Sequence, residues 1–142
     1  MAAPSPARTA DTEKITINLG FVDLGRIDLL VREGFYASRS DLIRTAIRAQ
    51  LDRHDTAVAP TITRDEFVMG LRDVSRAELE TLREARQMLD LRVIGLARFA
   101  RDIPPDLVTA TIRSIEVLGT IQADAAVKAA LDACRPDRGT RQ

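Results

Sequence analysis

The chain has 142 residues, 45% of them hydrophobic and 30% charged, which is enough apolar material for a buried core and too much for a disordered tail. Lys and Arg total 21 and Asp and Glu total 21, so neither a histone-like polybasic coat nor an acidic solvating tail fits, and any contact with nucleic acid must come from local placement of charge. Cys134 is the one cysteine and His54 the one histidine; the fold needs no disulfide, and most metal sites and nucleophile triads lack their ligands.

His54, in Asp52-Arg53-His54-Asp55, reads as a solvated residue at a helix C-terminus, and Cys134, after Ala129, Ala130, Leu131 and Ala133, as a small buried apolar residue. No GxGxxG, P-loop or HExxH sequence appears, so an enzyme is not expected, nor any cofactor. No apolar run approaches the ~18 residues of a membrane span. Pro4, Ser5, Pro6 and Arg8 occupy the place where a signal peptide would be apolar. A soluble, cytoplasmic protein without membrane contact is expected.

Residues 1–13 are small and polar and read as a flexible arm. Lys14-Ile15-Thr16-Ile17-Asn18-Leu19 then alternates strictly, with Ile15, Ile17 and Leu19 on one face and Lys14, Thr16 and Asn18 on the other, the mark of a strand with one buried face. From about Val22 to Glu33, Leu24, Ile27, Leu30 and Val31 recur at helical spacing, and Gly34 supplies the stop. Gly25 inside that helix points to a close approach by another backbone. Ser38-Arg39-Ser40-Asp41 reads as a capping box that opens a second helix to about Arg53, with Ile43, Ala46, Ile47 and Leu51 as its inner stripe.

One strand and two helices do not close a core. The strand's backbone donors and acceptors need a partner, which a second copy supplies across a two-fold axis. The resulting antiparallel ribbon places Ile15, Ile17 and Leu19 of both chains, with Ile43 and Ile47, in a shared dimer core, and leaves Lys14, Thr16 and Asn18 on a face that fits a major groove.

Over Lys14 to Arg53 these residues resemble the ribbon-helix-helix family of bacterial DNA-binding proteins, of the Arc and CopG type. The most specific stretch is Ser38-Arg39-Ser40-Asp41-x-Ile43-Arg44-x-Ala46. The resemblance implies a homodimer on double-stranded DNA, with base contacts from Lys14, Thr16 and Asn18 and phosphate contacts from Ser38, Arg39 and Ser40. Free amides at a helix start are in any case a ready anion site. Gly20, Phe21 and Val22 stand where many members open the first helix with proline and acidic residues.

Asp55 to Thr63, containing Ala57, Val58, Ala59 and Pro60, reads as a linker over 55–63. Eight basic residues face seven acidic ones up to His54, a net of +1, and 13 face 14 in the remainder, a net of −1; neither half binds nucleic acid by bulk charge. Beyond the linker, Val68-Met69-Gly70-Leu71 recurs as Val93-Ile94-Gly95-Leu96 and Val117-Leu118-Gly119-Thr120, its glycines 25 and 24 residues apart. Helical patterns follow each copy, over Ala77–Leu89, Pro105–Ile115 and Ala123–Ala133. Residues 64–134 are thus expected to form a solenoid-like strand-helix repeat with a parallel sheet, the alternative being an irregular helical bundle in which the Val-Gly segments are helix contacts. A flexible tail is expected over 135–142.

The fold class expected is α+β: a ribbon-helix-helix module over 14–54, with four helices and an intermolecular two-stranded ribbon in the dimer, then the repeat unit. Uncapped end turns of the repeat point to a higher oligomer that holds dimers side by side on DNA. The function expected is a sequence-specific, nucleoid-associated transcriptional regulator, most simply a repressor. Its alternatives are an antitoxin with a toxin-binding C-terminal half, a DNA-coating architectural or plasmid-maintenance protein, and a sensor of a small molecule in the C-terminal half. The apolar, repetitive second half weighs against the antitoxin, whose tail is usually peptide-like.

Overall fold

The structure, a computed structural model, describes residues 12–136, so the expected arm over 1–13 and tail over 135–142 lie almost wholly outside the described residues. The elements are α1 (Phe21–Arg32), α2 (Arg39–Arg64), β1 (Val68–Val74), α3 (Arg76–Glu84), β2 (Leu89–Phe99), α4 (Pro105–Thr111), β3 (Ile112–Gln122) and α5 (Ala125–Ala133). This is an α+β chain in two compact units, Met1–Pro60 and Thr61–Gln142.

In the first unit α1 follows Gly20, whose extended backbone (φ −63°, ψ 152°) provides no side-chain cap. The helix closes at the expected glycine: Gly34 adopts φ 83°, its N–H donates to the Val31 carbonyl, and the Phe35 N–H donates to the Leu30 carbonyl at 3.0 Å. These two bonds satisfy carbonyls that the last turn would otherwise leave open. Gly25 is less easily explained from within, since a Cβ there would meet nothing within 4 Å. The close approach expected at Gly25 is therefore not made inside the single chain.

One expectation for this region reaches beyond the single chain and another needs correction. The ribbon expected of residues 14–19 forms between two copies, and the single chain leaves residues 12–20 irregular and without a ladder partner, since the only sheet among the described residues is that of β1 to β3. The second helix does not stop at Arg53 before a linker over 55–63; α2 continues to Arg64 with Pro60 inside it. Ala57 and Ala59 are strong helix formers, and Pro60, close to the end, forfeits a single backbone hydrogen bond. His54 accordingly lies in mid-helix, 3.1 Å from the Gln50 amide nitrogen, and not at a C-terminus. The helix ends where Glu66 turns to φ 55° and the Phe67 N–H reaches the Ile62 carbonyl at 3.1 Å.

The second unit holds a buried core. β1, β2 and β3 lie side by side in that order, all parallel, so the Val-x-Gly segments are strands and not the helix contacts of a bundle. Register aligns Val68 with Val93 and Val117, and Gly70 with Gly95 and Gly119. Two of the expected helices end early. α3 stops at Glu84 because Arg86 takes φ 53° and reverses the chain ahead of β2. α4 stops at Thr111 because Ile112 to Ile115 join β3.

Alternation along β2 turns Leu91, Val93, Ala97 and Phe99 to one face, where they are buried with Leu79 of α3, Leu107 and Val108 of α4 and Leu131 of α5. Thr111, the buried polar residue, gives its hydroxyl proton to the Leu107 carbonyl at 2.6 Å, which removes the cost of its burial. Ser75 caps α3 by accepting from the Glu78 N–H at 3.2 Å. Cys134 is half-buried at the end of α5, and desolvation raises its thiol pKa, in keeping with an unreactive apolar neighbour of the core.

Glycine is required at the centre of the sheet. Gly95 and Gly119 have φ 136° and 122°, and a Cβ on Gly95 would collide with the Gly70 carbonyl, whose carbon would be 3.0 Å away. Gly95→Ala combines a disfavoured backbone with that collision and should lower the stability of the second unit by about 1–3 kcal/mol, read from a denaturant midpoint; an unchanged midpoint would contradict the contact.

A bulge opposite the start of β2 has an electrostatic use. Leu89 pairs with Ile112 and Asp90 with Ser114, so Arg113 is the extra residue. Its guanidinium pairs with the Asp90 carboxylate, which also accepts from the Ser114 hydroxyl at 2.7 Å. The Arg113 and Ser114 hydrogen bonds hold the Asp90 pKa down from 3.8 to about 2. A folded-state pKa below the unfolded one adds stability that is complete above 3.8 and is lost as pH falls toward 2. Asp90→Asn should therefore flatten the decline of stability across that acid window, measured by thermal melts; an unaltered slope would remove Asp90 from the account.

Candidate nucleic-acid interface

The residues expected to touch DNA all lie in the first unit. Lys14, Thr16 and Asn18 are exposed in the irregular segment before α1, and so are the residues they alternate with: Ile15 at 72%, Ile17 at 56% and Leu19 at 41%. In the single chain the two faces of the expected ribbon are equally solvated. What would separate them is a surface for the isoleucines to cover.

Such a surface exists and is uncovered. No described residue of the first unit is buried. Ile43, from the expected dimer core, is half-buried beside Leu42, while Ile47 remains 46% exposed one turn on. Leu29 and Leu30 of α1 and Leu51 of α2 are exposed as well. Phe21, one of the three residues that depart from the usual opening of the family's first helix, is 93% exposed.

The start of α2 is built as its sequence predicts. Ser38 Oγ accepts from the Asp41 N–H at 3.1 Å, and Asp41 Oδ2 accepts from the Ala37 N–H at 3.0 Å. A glutamate at this position usually reaches the capping residue's own amide; the shorter aspartate takes the amide one residue earlier. The Leu42 N–H donates to the Ser38 carbonyl at 3.2 Å. With those groups satisfied, the N–H groups of Arg39 and Ser40 remain at the helix start with no acceptor inside the helix, at the positive end of its dipole.

One member of the expected phosphate set is already engaged. Arg39 pairs bidentately with Asp28 of α1, Nε to Oδ1 at 2.7 Å and the second nitrogen to Oδ2 at 2.8 Å. This bond lowers the Asp28 pKa and raises that of Arg39. Both side chains remain about half exposed, so the pair is screened and within reach of competing anions. The sequence carried no local sign of it, because the two residues are 11 apart and meet through the crossing of two helices. Ser38, Arg39 and Ser40 do cluster, but they present two hydroxyls, two amides and an arginine that holds a carboxylate.

Among the described residues no cluster of His, Cys, Asp or Glu could hold a metal ion, and no helix is long and apolar enough to cross a membrane.

The profile of the ribbon-helix-helix transcriptional regulator family matches residues 10–128. That stretch takes in the irregular segment, both helices of the first unit, the whole sheet and the first turn of α5. No curated protein and no solved structure matches the chain. From the matched residues, this chain belongs to the ribbon-helix-helix transcriptional regulator family, whose members bind DNA, typically as dimers.

Proposed function

We propose that the protein is a sequence-specific repressor that binds double-stranded DNA as an obligate homodimer. The observation that carries this reading is the absence of a core in the first unit: helices that are apolar on one side bury nothing, beside a segment whose isoleucines and leucine are exposed. Pairing residues 14–19 of two copies antiparallel would satisfy their backbone groups and lay Ile15, Ile17 and Leu19 over Ile43 and Ile47 of both chains. Lys14, Thr16 and Asn18 would then form the outer face of the ribbon and read base edges.

Phosphate is held at the start of α2 by the Ser38 and Ser40 hydroxyls and the Arg39 and Ser40 amides. Arg39 joins them by leaving Asp28. The second unit, read as a solenoid-like stack of three strand-helix turns, assembles dimers on DNA in the nucleoid, and multivalency then offsets the weak charge of the chain. Its buried core speaks against the antitoxin alternative, in which this half would be a peptide that folds on a toxin.

Genomic fragments bound by the purified protein supply the cognate site, on which two changes are compared. Thr16→Ala or Asn18→Ala should cost about 1–3 kcal/mol on the cognate site and little on random DNA. Ser38→Ala should weaken binding to both alike. Equal losses on both DNAs from the strand variants would remove base reading from residues 14–18.

The dimer is tested apart from DNA. Ile17→Asp places a carboxylate in the shared core, where an unpaired charge is not tolerated. At concentrations too low for the second unit to assemble, the full chain should become monomeric and lose the helicity of α1 and α2, while the cooperative melt of the second unit survives. A variant with native helicity and dimeric mass would contradict the shared core.

A further inference from the structure

No further strand lies beyond β1 or β3 among the described residues; the start of the β3 edge is met by the end of α5, where the Ile115 N–H donates to the Cys134 carbonyl at 3.2 Å, and its open stretch lies beyond that contact. Open edges of a parallel sheet present unpaired backbone groups and are templates for another strand. In most proteins they are shortened, charged or covered. Here Val68 and Met69 on the β1 edge and Leu118 on the β3 edge are exposed, at 46%, 67% and 46%.

The two edges also match each other in shape. Each interior glycine makes room for the carbonyl of the strand before it: a Cβ on Gly95 would strike the Gly70 carbonyl, and one on Gly119 would strike the Gly95 carbonyl. Gly70 is first in the series, and a Cβ there would meet nothing within 4 Å. By the same repeat the Gly119 carbonyl, last in the series, is turned to the free edge of β3. One edge thus offers the carbonyl for which the other has left space.

We infer that the β3 edge of one copy docks in parallel on the β1 edge of a second copy, continuing the register of the sheet. This rests on the proposed role of the second unit in assembly and names the surfaces that perform it. The continued register sets Leu118 beside Met69 and Val117 beside Val68, apolar against apolar. It also extends the polar row in which Arg98 donates to Asp73 at 2.6 and 3.1 Å. Gln122 is the β3 neighbour of Arg98, and its amide would donate to Asp73 of the next copy. A second copy is the occupant because the required edge, a parallel strand with its glycine and flanking apolar residues in step, is the one that this chain presents at β3.

The contact is heterologous, using a different surface on each partner, so it propagates instead of ending at a pair. Two variants of the full chain separate its halves: Met69→Asp with Leu71→Asp blocks the β1 edge, and Leu118→Asp with Thr120→Asp blocks the β3 edge. Sedimentation without DNA should show the unaltered protein growing past the dimer with concentration and each variant stopping at the dimer. An equimolar mixture should regain the larger species, since one variant retains a free β3 edge and the other a free β1 edge. Growth by either variant alone would overturn the inference, as would an unaltered protein that stays dimeric at every concentration; neither result touches DNA binding, which is assayed separately on a short single site. A cross-linking experiment does not depend on how the charged variants fold. In a Cys134→Ser background, Met69→Cys and Leu118→Cys chains treated with a short bis-maleimide should be joined in the mixture and not separately, and no joining under conditions where the unaltered protein assembles would overturn the contact.

Discussion

The apolar side chains of the first unit find no cover among the described residues of that unit, and this lack of cover governs what the N-terminal half can do. Burial of apolar surface is the main favourable term in folding, yet α1 and α2 bury no residue. Their caps and turns are well formed, through Ser38, Asp41 and Gly34, but such bonds add on the order of 1 kcal/mol each and do not replace a core. In the proposed dimer, stability, dimerisation and the presentation of Lys14, Thr16 and Asn18 become one problem with one answer. The second unit meets the same demand differently, by folding three helices onto one face of its sheet.

Much of this was legible in the residues, and what was not has identifiable physical causes. Ser38 with Asp41 and Gly34 were readable because capping and helix termination are local, decided within a few residues. The glycine spacing of the second half was readable because a parallel sheet with a constant register needs a nearly constant repeat length. Residues 14–19 alternate as a strand does, yet a strand is a relation between two segments, and the single chain holds one. The continuation of α2 through Pro60 shows the limit of proline as a stop signal near a helix end. The exchange of helix for strand at Leu89 and at Ile112 to Ile115 was hidden because Ile and Leu satisfy both patterns over so short a run, and pairing with the neighbouring strand decided the matter. The Arg39 to Asp28 bond depends on how two helices cross, which no spacing encodes.

The open face of the sheet sets a further constraint. Parallel sheets are ordinarily covered on both sides, whereas here Met69, Leu71 and Leu118 remain exposed on the side away from the helices. Charged residues frame that apolar centre, with Asp73 and Arg98 at one end and Asp90 and Arg113 at the other. Salt bridges at this exposure contribute little energy, but they penalise any register in which a carboxylate would lose its guanidinium, and so help to keep Gly70, Gly95 and Gly119 in line.

The pairing of Arg39 with Asp28 also bears on how DNA binding would respond to ionic strength. The salt sensitivity of such binding counts the cations released from DNA as protein charges replace them. An arginine that arrives from a carboxylate leaves that carboxylate bare near the phosphates, and Asp28 then attracts a cation from solution in place of one released. On the proposed complex, Arg39 would add position and hydrogen-bond geometry to phosphate recognition while contributing little to the salt slope. The slope should then be shallower than a tally of the basic residues at the surface implies.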